Sequence, residues 1–145
     1  MPEETYDRLH LAKGQLETPL NLFLDDGNYA SSITLAGAAE EVFGRELIRR
    51  GLKSALESEY ESMADFDRLI GGPGLNKKAY IAKSNLARDA LKHLQENKGP
   101  AITIDLEEAA CWMLVRAIQN GRELGFKVER YREFDDWFHE NIVGV

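Results

Sequence analysis

One segment, residues 33–39 with the sequence ITLAGAA, constrains the fold of this chain more than any other. It belongs to a stretch, residues 29–50, whose periodicity predicts a helix. The segment 33–39 is small and apolar on nearly all sides, which is typical of a central helix because small side chains admit neighbouring helices closely. Gly37 costs about 1 kcal/mol relative to alanine in a helix interior, so we expect a close neighbour at that position.

The periodicity elsewhere predicts more helices and no convincing strand pair. The predicted helices cover residues 3–24, 52–70, 76–97, 105–124 and 131–141. Pro19 lies inside the helix 3–24 and is expected to kink or interrupt it, and Asp105 has the position of an N-cap for the helix 105–124. We therefore predict an all-α fold, an up-and-down four-helix bundle with one or two additional short helices, in one domain over residues 1–145.

Charge and cysteine content narrow the classes of function. A net charge of -7 argues against a protein that binds duplex nucleic acid over a broad surface. The longest uncharged run, residues 27–39, is shorter than the roughly 18 apolar residues that a membrane span needs, and the acidic residues 1–4 do not resemble a secretory signal. Because Cys111 is the one cysteine, no intrachain disulfide can form, and we expect a reducing, cytoplasmic setting with no membrane partner.

The charge is unevenly distributed along the chain. Residues 75–98 contain six basic and two acidic residues, a net charge of +4 that leaves -11 on the rest of the chain. A local basic patch on an acidic body can still bind a phosphate group.

The predicted basic helix, residues 76–97, is strongly amphipathic. At 100° per residue from position 85, its core face comprises Leu86, Ala87, Ala90, Leu91 and Leu94. The opposite, polar face comprises Asn85, Arg88, Asp89, Lys92, His93, Gln95 and Glu96. Asp89 and His93 are four residues apart, close enough for a carboxylate to contact an imidazole. Taken alone, this pattern is that of a solvated helix face.

The order Arg88-Asp89-x-x-x-His93 resembles the Arg-(x4–6)-His motif of the HEPN domain superfamily, whose members are small all-α bundles with the motif on a late helix. Asp89 fits the position after the arginine, although many members have asparagine there. The resemblance covers the whole chain in architecture but only these residues in motif. It implies a metal-independent endoribonuclease that acts as a homodimer on RNA, as a toxin or defence-system component with a cognate antitoxin protein as partner.

The resemblance implies that Arg88 and His93 are catalytic. A histidine can transfer a proton near neutral pH, and an arginine can stabilise the charge that develops on a phosphate. We expect Asp89 to orient the imidazole and Asn85 and Lys92 to contact the RNA backbone. Because Arg88 and His93 diverge by about 140° on one helix, two copies of the helix across a two-fold axis would complete a site more easily than one.

Glu40 is the second point of interest, because it lies in the middle of the apolar stripe of the central helix. A buried carboxylate needs a partner. Glu40 either pairs with a buried base or lies at a helix crossing near solvent. Alternatively, it reaches Arg88 or His93 from the neighbouring helix, in which case it supports the site.

Two alternatives to a ribonuclease remain open. The first is a non-catalytic helical bundle that dimerises or binds a protein partner, and the second is a nucleotide-binding bundle that uses the same basic face. We expect neither a metal nor another cofactor. The sequence contains no Glu-x-x-His pair, which argues against a di-iron bundle.

Overall fold

A computed structural model describes residues 1–144, and within this range the chain is all-helical, as predicted. The α-helices are α1 (Arg8–Asn21), α2 (Tyr29–Arg49), α3 (Ala55–Leu69), α4 (Lys77–Ser84), α5 (Leu86–Lys92), α6 (Leu106–Glu123) and α7 (Tyr131–Phe138). Two π-helical turns, Leu22–Asp26 and His139–Val143, follow α1 and α7. None of the helices in residues 1–144 is both long and apolar enough to cross a membrane.

Helix α2 is central, which confirms the prediction from its small residues. It packs against α1 and α6 along its length and against α5 at one side. Its buried residues include Ile33, Ala36, Ala39 and Phe43. The glycine on the facing helix, Gly121, lies against Phe43, where an added Cβ would be 3.2 Å from the ring. Close approach of α2 and α6 therefore depends on small residues on both helices.

The first predicted helix is shorter than expected, and of the two effects predicted for Pro19, a kink or an interruption, the interruption does not occur. Helix α1 begins at Arg8, where the Asp7 side chain accepts a hydrogen bond from the Leu9 N–H at 2.8 Å. The helix continues through the buried Pro19. The Pro19 carbonyl also accepts a 2.9 Å hydrogen bond from the Ser32 hydroxyl of α2. The α-helical geometry changes to a π-helical turn only at Leu22.

The predicted basic helix, residues 76–97, is broken in two. Helix α4 ends at Ser84, Asn85 has φ -104° and ψ 6°, and α5 ends at Lys92. His93 lies beyond α5 with an extended backbone. At the break, the side chain of Arg116 on α6 binds the Ser84 carbonyl and the Asn85 side chain. The break therefore depends on a residue from another helix.

The predicted core face of the basic helix is also wrong. Leu86, Leu91 and Leu94 are exposed, with Leu94 at 74% of its maximum, and Ala90 is exposed as well. Ala87 alone of that set packs against the core. Because Arg88 occupies the inward position instead, the leucines form an apolar surface on the outside of the molecule.

The C-terminal helices agree with their sequence patterns. The Asp105 side chain caps α6 by accepting a hydrogen bond from the Glu108 N–H at 2.9 Å. The aromatic face of α7 covers one end of the bundle, where Trp137 and Phe134 meet Phe23 edge-to-face.

Asn120 on α6 joins three helices through its buried side chain. Its Oδ1 accepts a 2.7 Å hydrogen bond from the Ala55 N–H at the start of α3. Its Nδ2 donates to the Glu40 carbonyl of α2 at 3.1 Å. These bonds satisfy backbone groups that have no contact with water, so the amide is expected to matter for stability.

We expect Asn120→Ala to lower the free energy of unfolding by about 1–3 kcal/mol, because it leaves the Ala55 N–H without its buried partner. Urea denaturation measures this change. Gln119→Ala, at the exposed neighbouring position, is the control and should change the stability by less than about 0.5 kcal/mol. Equal effects of the two substitutions would contradict this role.

Candidate functional site

Arg88 points inward from α5 and crosses α2 at Gly37. A Cβ added to Gly37 would lie 2.7 Å from Cδ and 2.9 Å from Cγ of Arg88. The side chain of Arg88 is 19% exposed. The glycine in the central helix therefore has a specific use, because it leaves room for the aliphatic part of the arginine.

The Glu40 carboxylate lies between two arginines. Its Oε2 is 3.7 Å from Nη1 of Arg88, and its Oε1 is 3.7 Å from Nε of Arg116. Glu40 therefore pairs with a buried base, Arg116, and also reaches Arg88 from the neighbouring helix. Burial raises the pKa of the Glu40 carboxyl, against the opposing effect of the charges of Arg116 and Arg88.

Arg116 on α6 is the buried base of this cluster. It donates from Nη2 to the Asn85 Oδ1 at 2.8 Å and from Nη1 to the Ser84 carbonyl at 3.2 Å. These two bonds explain the break between α4 and α5, because they satisfy groups at the end of α4. Burial lowers the pKa of the Arg116 guanidinium. Among the side chains of residues 1–144, its Nε is the one buried nitrogen or oxygen atom without a hydrogen-bond partner.

The sequence prediction missed Arg116. A signal was present, because Met113, Arg116, Ala117 and Asn120 follow the three- and four-residue spacing of the inward face of α6. A charged residue at such a position requires a buried partner. Glu40, at a similar position on α2, is that partner.

The predicted position of Asn85 on the open polar face is wrong. Asn85 is buried, and its amide oxygen binds Arg116. Lys92, at the last position of α5, is exposed, as its place on the predicted polar face indicates.

The Asp89 carboxylate does not make the predicted contact with His93. It accepts hydrogen bonds from Nε and Nη2 of Arg88 at 3.2 and 3.1 Å. Because α5 ends at Lys92 and His93 is extended, the imidazole does not lie one helical turn from the carboxylate. The two residues are joined instead by a backbone hydrogen bond from the His93 N–H to the Asp89 carbonyl. Asp89 therefore orients the arginine and not the histidine.

Arg88 and His93 line different depressions in the surface. Arg88, Arg116 and Lys83 line a cleft of about 600 Å³, here called the arginine cleft, which is walled by α5, α6 and the segment before α6. His93 and Asp89 line a second depression of about 440 Å³, here called the apolar groove. The apolar side chains of this groove include Leu86, Leu94 and Ile102.

The charge around Arg88 is more acidic than the basic segment suggests. Besides Glu40 and Asp89, the Glu41 carboxylate lies 4.0 Å from Nη1 of Arg88. Glu59, Asp105 and Glu108 also line the arginine cleft. Residues 1–144 contain no group of three or more His, Cys, Asp or Glu side chains placed to hold a metal ion.

No protein-family model, curated protein or solved structure matches this chain. The resemblance to HEPN domains therefore rests on the order of Arg88, Asp89 and His93 and on the all-helical architecture.

We predict that Gly37→Ala displaces Arg88. Overpacking at this contact should lower the free energy of unfolding by about 1–2 kcal/mol, as measured by urea denaturation. Gly14→Ala is the matched control in a helix, because a Cβ there meets nothing within 4 Å, and it should raise stability by about 0.5–1 kcal/mol.

A double-substitution cycle identifies the clashing group. In an Arg88→Ala background, Gly37→Ala should lose most of its cost, because the clashing atoms are gone. An unchanged cost in that background would show that Arg88 does not pack on Gly37.

Proposed function

We propose that the protein is a HEPN-like, metal-independent endoribonuclease that acts as a homodimer, with Arg88 and His93 as its catalytic residues. The observation that carries the proposal is the arrangement of Arg88. A partly exposed guanidinium at the edge of a cleft is held by the Glu40 and Asp89 carboxylates. A toxin or defence role, with an antitoxin protein as partner, would follow from this activity and belongs to the proposal.

Arg88 has the geometry of a phosphate-binding residue. Its aliphatic part packs on α2, so little side-chain entropy remains to be lost when the guanidinium binds an anion. Glu40, on the buried side, keeps the guanidinium at the wall of the arginine cleft. Phosphate oxygens would then replace Asp89, which is exposed, as the outer partner of the fork.

The proposed reaction uses the 2′-hydroxyl of RNA as nucleophile. His93 removes the proton of that hydroxyl as the oxygen attacks the adjacent phosphorus. A P–O2′ bond forms, the P–O5′ bond breaks, and the leaving 5′-oxygen takes a proton from a water molecule, while protonated His93 returns its proton to solvent. The products are a 2′,3′-cyclic phosphate and a 5′-hydroxyl. Arg88 stabilises the negative charge on the phosphate oxygens during the attack.

Two copies of the chain supply this pair more readily than one. In one protomer Arg88 lines the arginine cleft, whereas His93 lines the apolar groove. The exposed leucines of α5 and the following segment, Leu86, Leu91 and Leu94, lie beside His93 and offer apolar surface that a second copy can bury. A shared site requires His93 of one protomer to approach Arg88 of its partner across a two-fold axis.

A non-catalytic, partner-binding bundle is the second candidate, and helix α3 favours it. Phe66, Leu69 and Ile70, at the C-terminal end of α3, are exposed, with Leu69 at 85%. Such a surface is typical of a protein contact. In such a protein, the acidic groups around Arg88 neutralise its charge, and Arg88 has only a structural role.

Incubation of purified protein with single-stranded RNA in EDTA decides between the two candidates. We predict cleavage with cyclic-phosphate ends, and a loss of at least about 100-fold in rate for His93→Ala, because a general acid–base group is removed. Arg88→Ala should lose as much, whereas His10→Gln, at an exposed histidine, should cleave like the wild type. Absence of cleavage in all proteins, or equal cleavage in all, would contradict the catalytic proposal.

A mixing experiment tests whether the site is shared between protomers. His93→Ala and Arg88→Ala proteins, each inactive alone, should regain about a quarter of wild-type activity when their subunits exchange, because half of the dimers then contain one intact site of two. A wild-type protein that sediments as a monomer, or a mixture that stays inactive, would contradict a shared site.

A further inference from the structure

Glu108, Trp112 and Arg116 lie on three successive turns of α6 and all line the arginine cleft. Their spacing of four residues places them along one face of the helix. A carboxylate, an indole ring and a guanidinium thus follow one another along one wall. The catalytic proposal uses neither Glu108 nor Trp112.

Trp112 presents an aromatic surface inside the cleft. The residue is 42% exposed, although large aromatic side chains are usually more buried than that. Its ring meets Phe138 edge-to-face, with the centroids 5.5 Å apart. This contact engages at most one face of the indole ring, so it leaves the opposite face on which a second flat group can stack.

The charged groups of the cleft are unevenly distributed. Its cations, Arg88, Arg116 and Lys83, belong to α4, α5 and the middle of α6, where the Glu59 carboxylate of α3 also lines the cleft. At the start of α6 the charged lining residues are Asp105 and Glu108, and both are acidic. Glu108 and Arg116 are eight residues apart, or about 12 Å along the helix axis. A ligand that fills this length needs an anionic group at one end, a flat ring in the middle and hydrogen-bond donors at the other end.

We propose that the arginine cleft binds one nucleotide, with its base stacked on Trp112. The exocyclic amino group of an adenine base would donate to the Glu108 carboxylate. The phosphate group would bind Arg88 and Lys83. The volume of about 600 Å³ lies within the range of small-molecule sites, and base–aromatic stacking is a recurring source of affinity for single-stranded nucleic acid.

This inference deepens the proposed function and rests on it in one respect. The nucleotide is taken to be one unit of the RNA chain, whose phosphate is the one that Arg88 contacts. The stacking site would then hold the base next to the cleaved bond and set the base preference of cleavage. Free nucleotide has the same recognition chemistry and serves as the probe.

Calorimetric titration with AMP and with ribose 5-phosphate, at low salt, tests the stacking site without any cleavage. Wild-type protein should bind AMP at least about tenfold more tightly than ribose 5-phosphate, because only AMP carries a base to stack. Trp112→Leu should reduce the affinity for AMP to that for the sugar phosphate. Trp112→Tyr, which keeps an aromatic ring, should retain most of the difference.

Tyr6→Leu is the matched control, since it removes an exposed aromatic ring that does not line the cleft, and it should bind AMP like the wild type. Thermal unfolding checks that each variant is folded. Equal affinities of the wild type for AMP and ribose 5-phosphate would overturn the inference. So would an AMP affinity that Trp112→Leu leaves unchanged.

The RNA cleavage assay separates this inference from the proposed function. Trp112-dependent binding of AMP without RNA cleavage would leave a nucleotide-binding site and reject the ribonuclease. Cleavage without Trp112-dependent binding would support the ribonuclease and reject the stacking site.

Discussion

The buried carboxylate of Glu40 is the interaction on which the rest of the site depends. A carboxylate in the interior is stable only with partners, and Glu40 has two, Arg88 from α5 and Arg116 from α6. Arg116 in turn binds Ser84 and Asn85, where α4 gives way to α5. One charge on the central helix therefore accounts for the position of a second helix, for the break before it, and for the inward direction of Arg88.

Much of the fold could be predicted from local pattern. The small residues at 33–39 indicate a central helix, and Asp105 marks the start of α6, because both signals depend on neighbours in sequence. The site could be predicted only in part. Arg88 and Glu40 were identified, but the break at Asn85 depends on Arg116, which is 31 residues away. The leucines of α5 have the periodicity of a core face, yet they are exposed because Gly37 and Glu40 accommodate Arg88 on the inner side. Periodicity describes one helix at a time, so it does not reveal that a charged residue has a buried partner on another helix.

The same arrangement places Arg88 and His93 in two different surface depressions of one chain. Arg88 is fixed by two helices and lines the arginine cleft, whereas His93 follows the end of α5 and lines the apolar groove. In the proposed ribonuclease, a second copy of the chain supplies the missing member of the pair. In the proposed nucleotide site, the Glu108 carboxylate at the acidic end of the cleft binds the base that stacks on Trp112. Both proposals require the guanidinium of Arg88 to exchange its contact with the exposed Asp89 for a phosphate while it keeps Glu40.

The pKa of Glu40 tests the central claim most directly, by a carbon-detected NMR titration of its side-chain carboxyl in the wild type and in Arg88→Ala. We expect a pKa above the ordinary value of 4.5 in the wild type, because burial outweighs the charges of the two arginines. We expect a still higher pKa in Arg88→Ala, because one of the two stabilising charges is then absent. A carboxyl that titrates at or below 4.5, with no response to the loss of Arg88, would contradict a buried Glu40 held between two arginines.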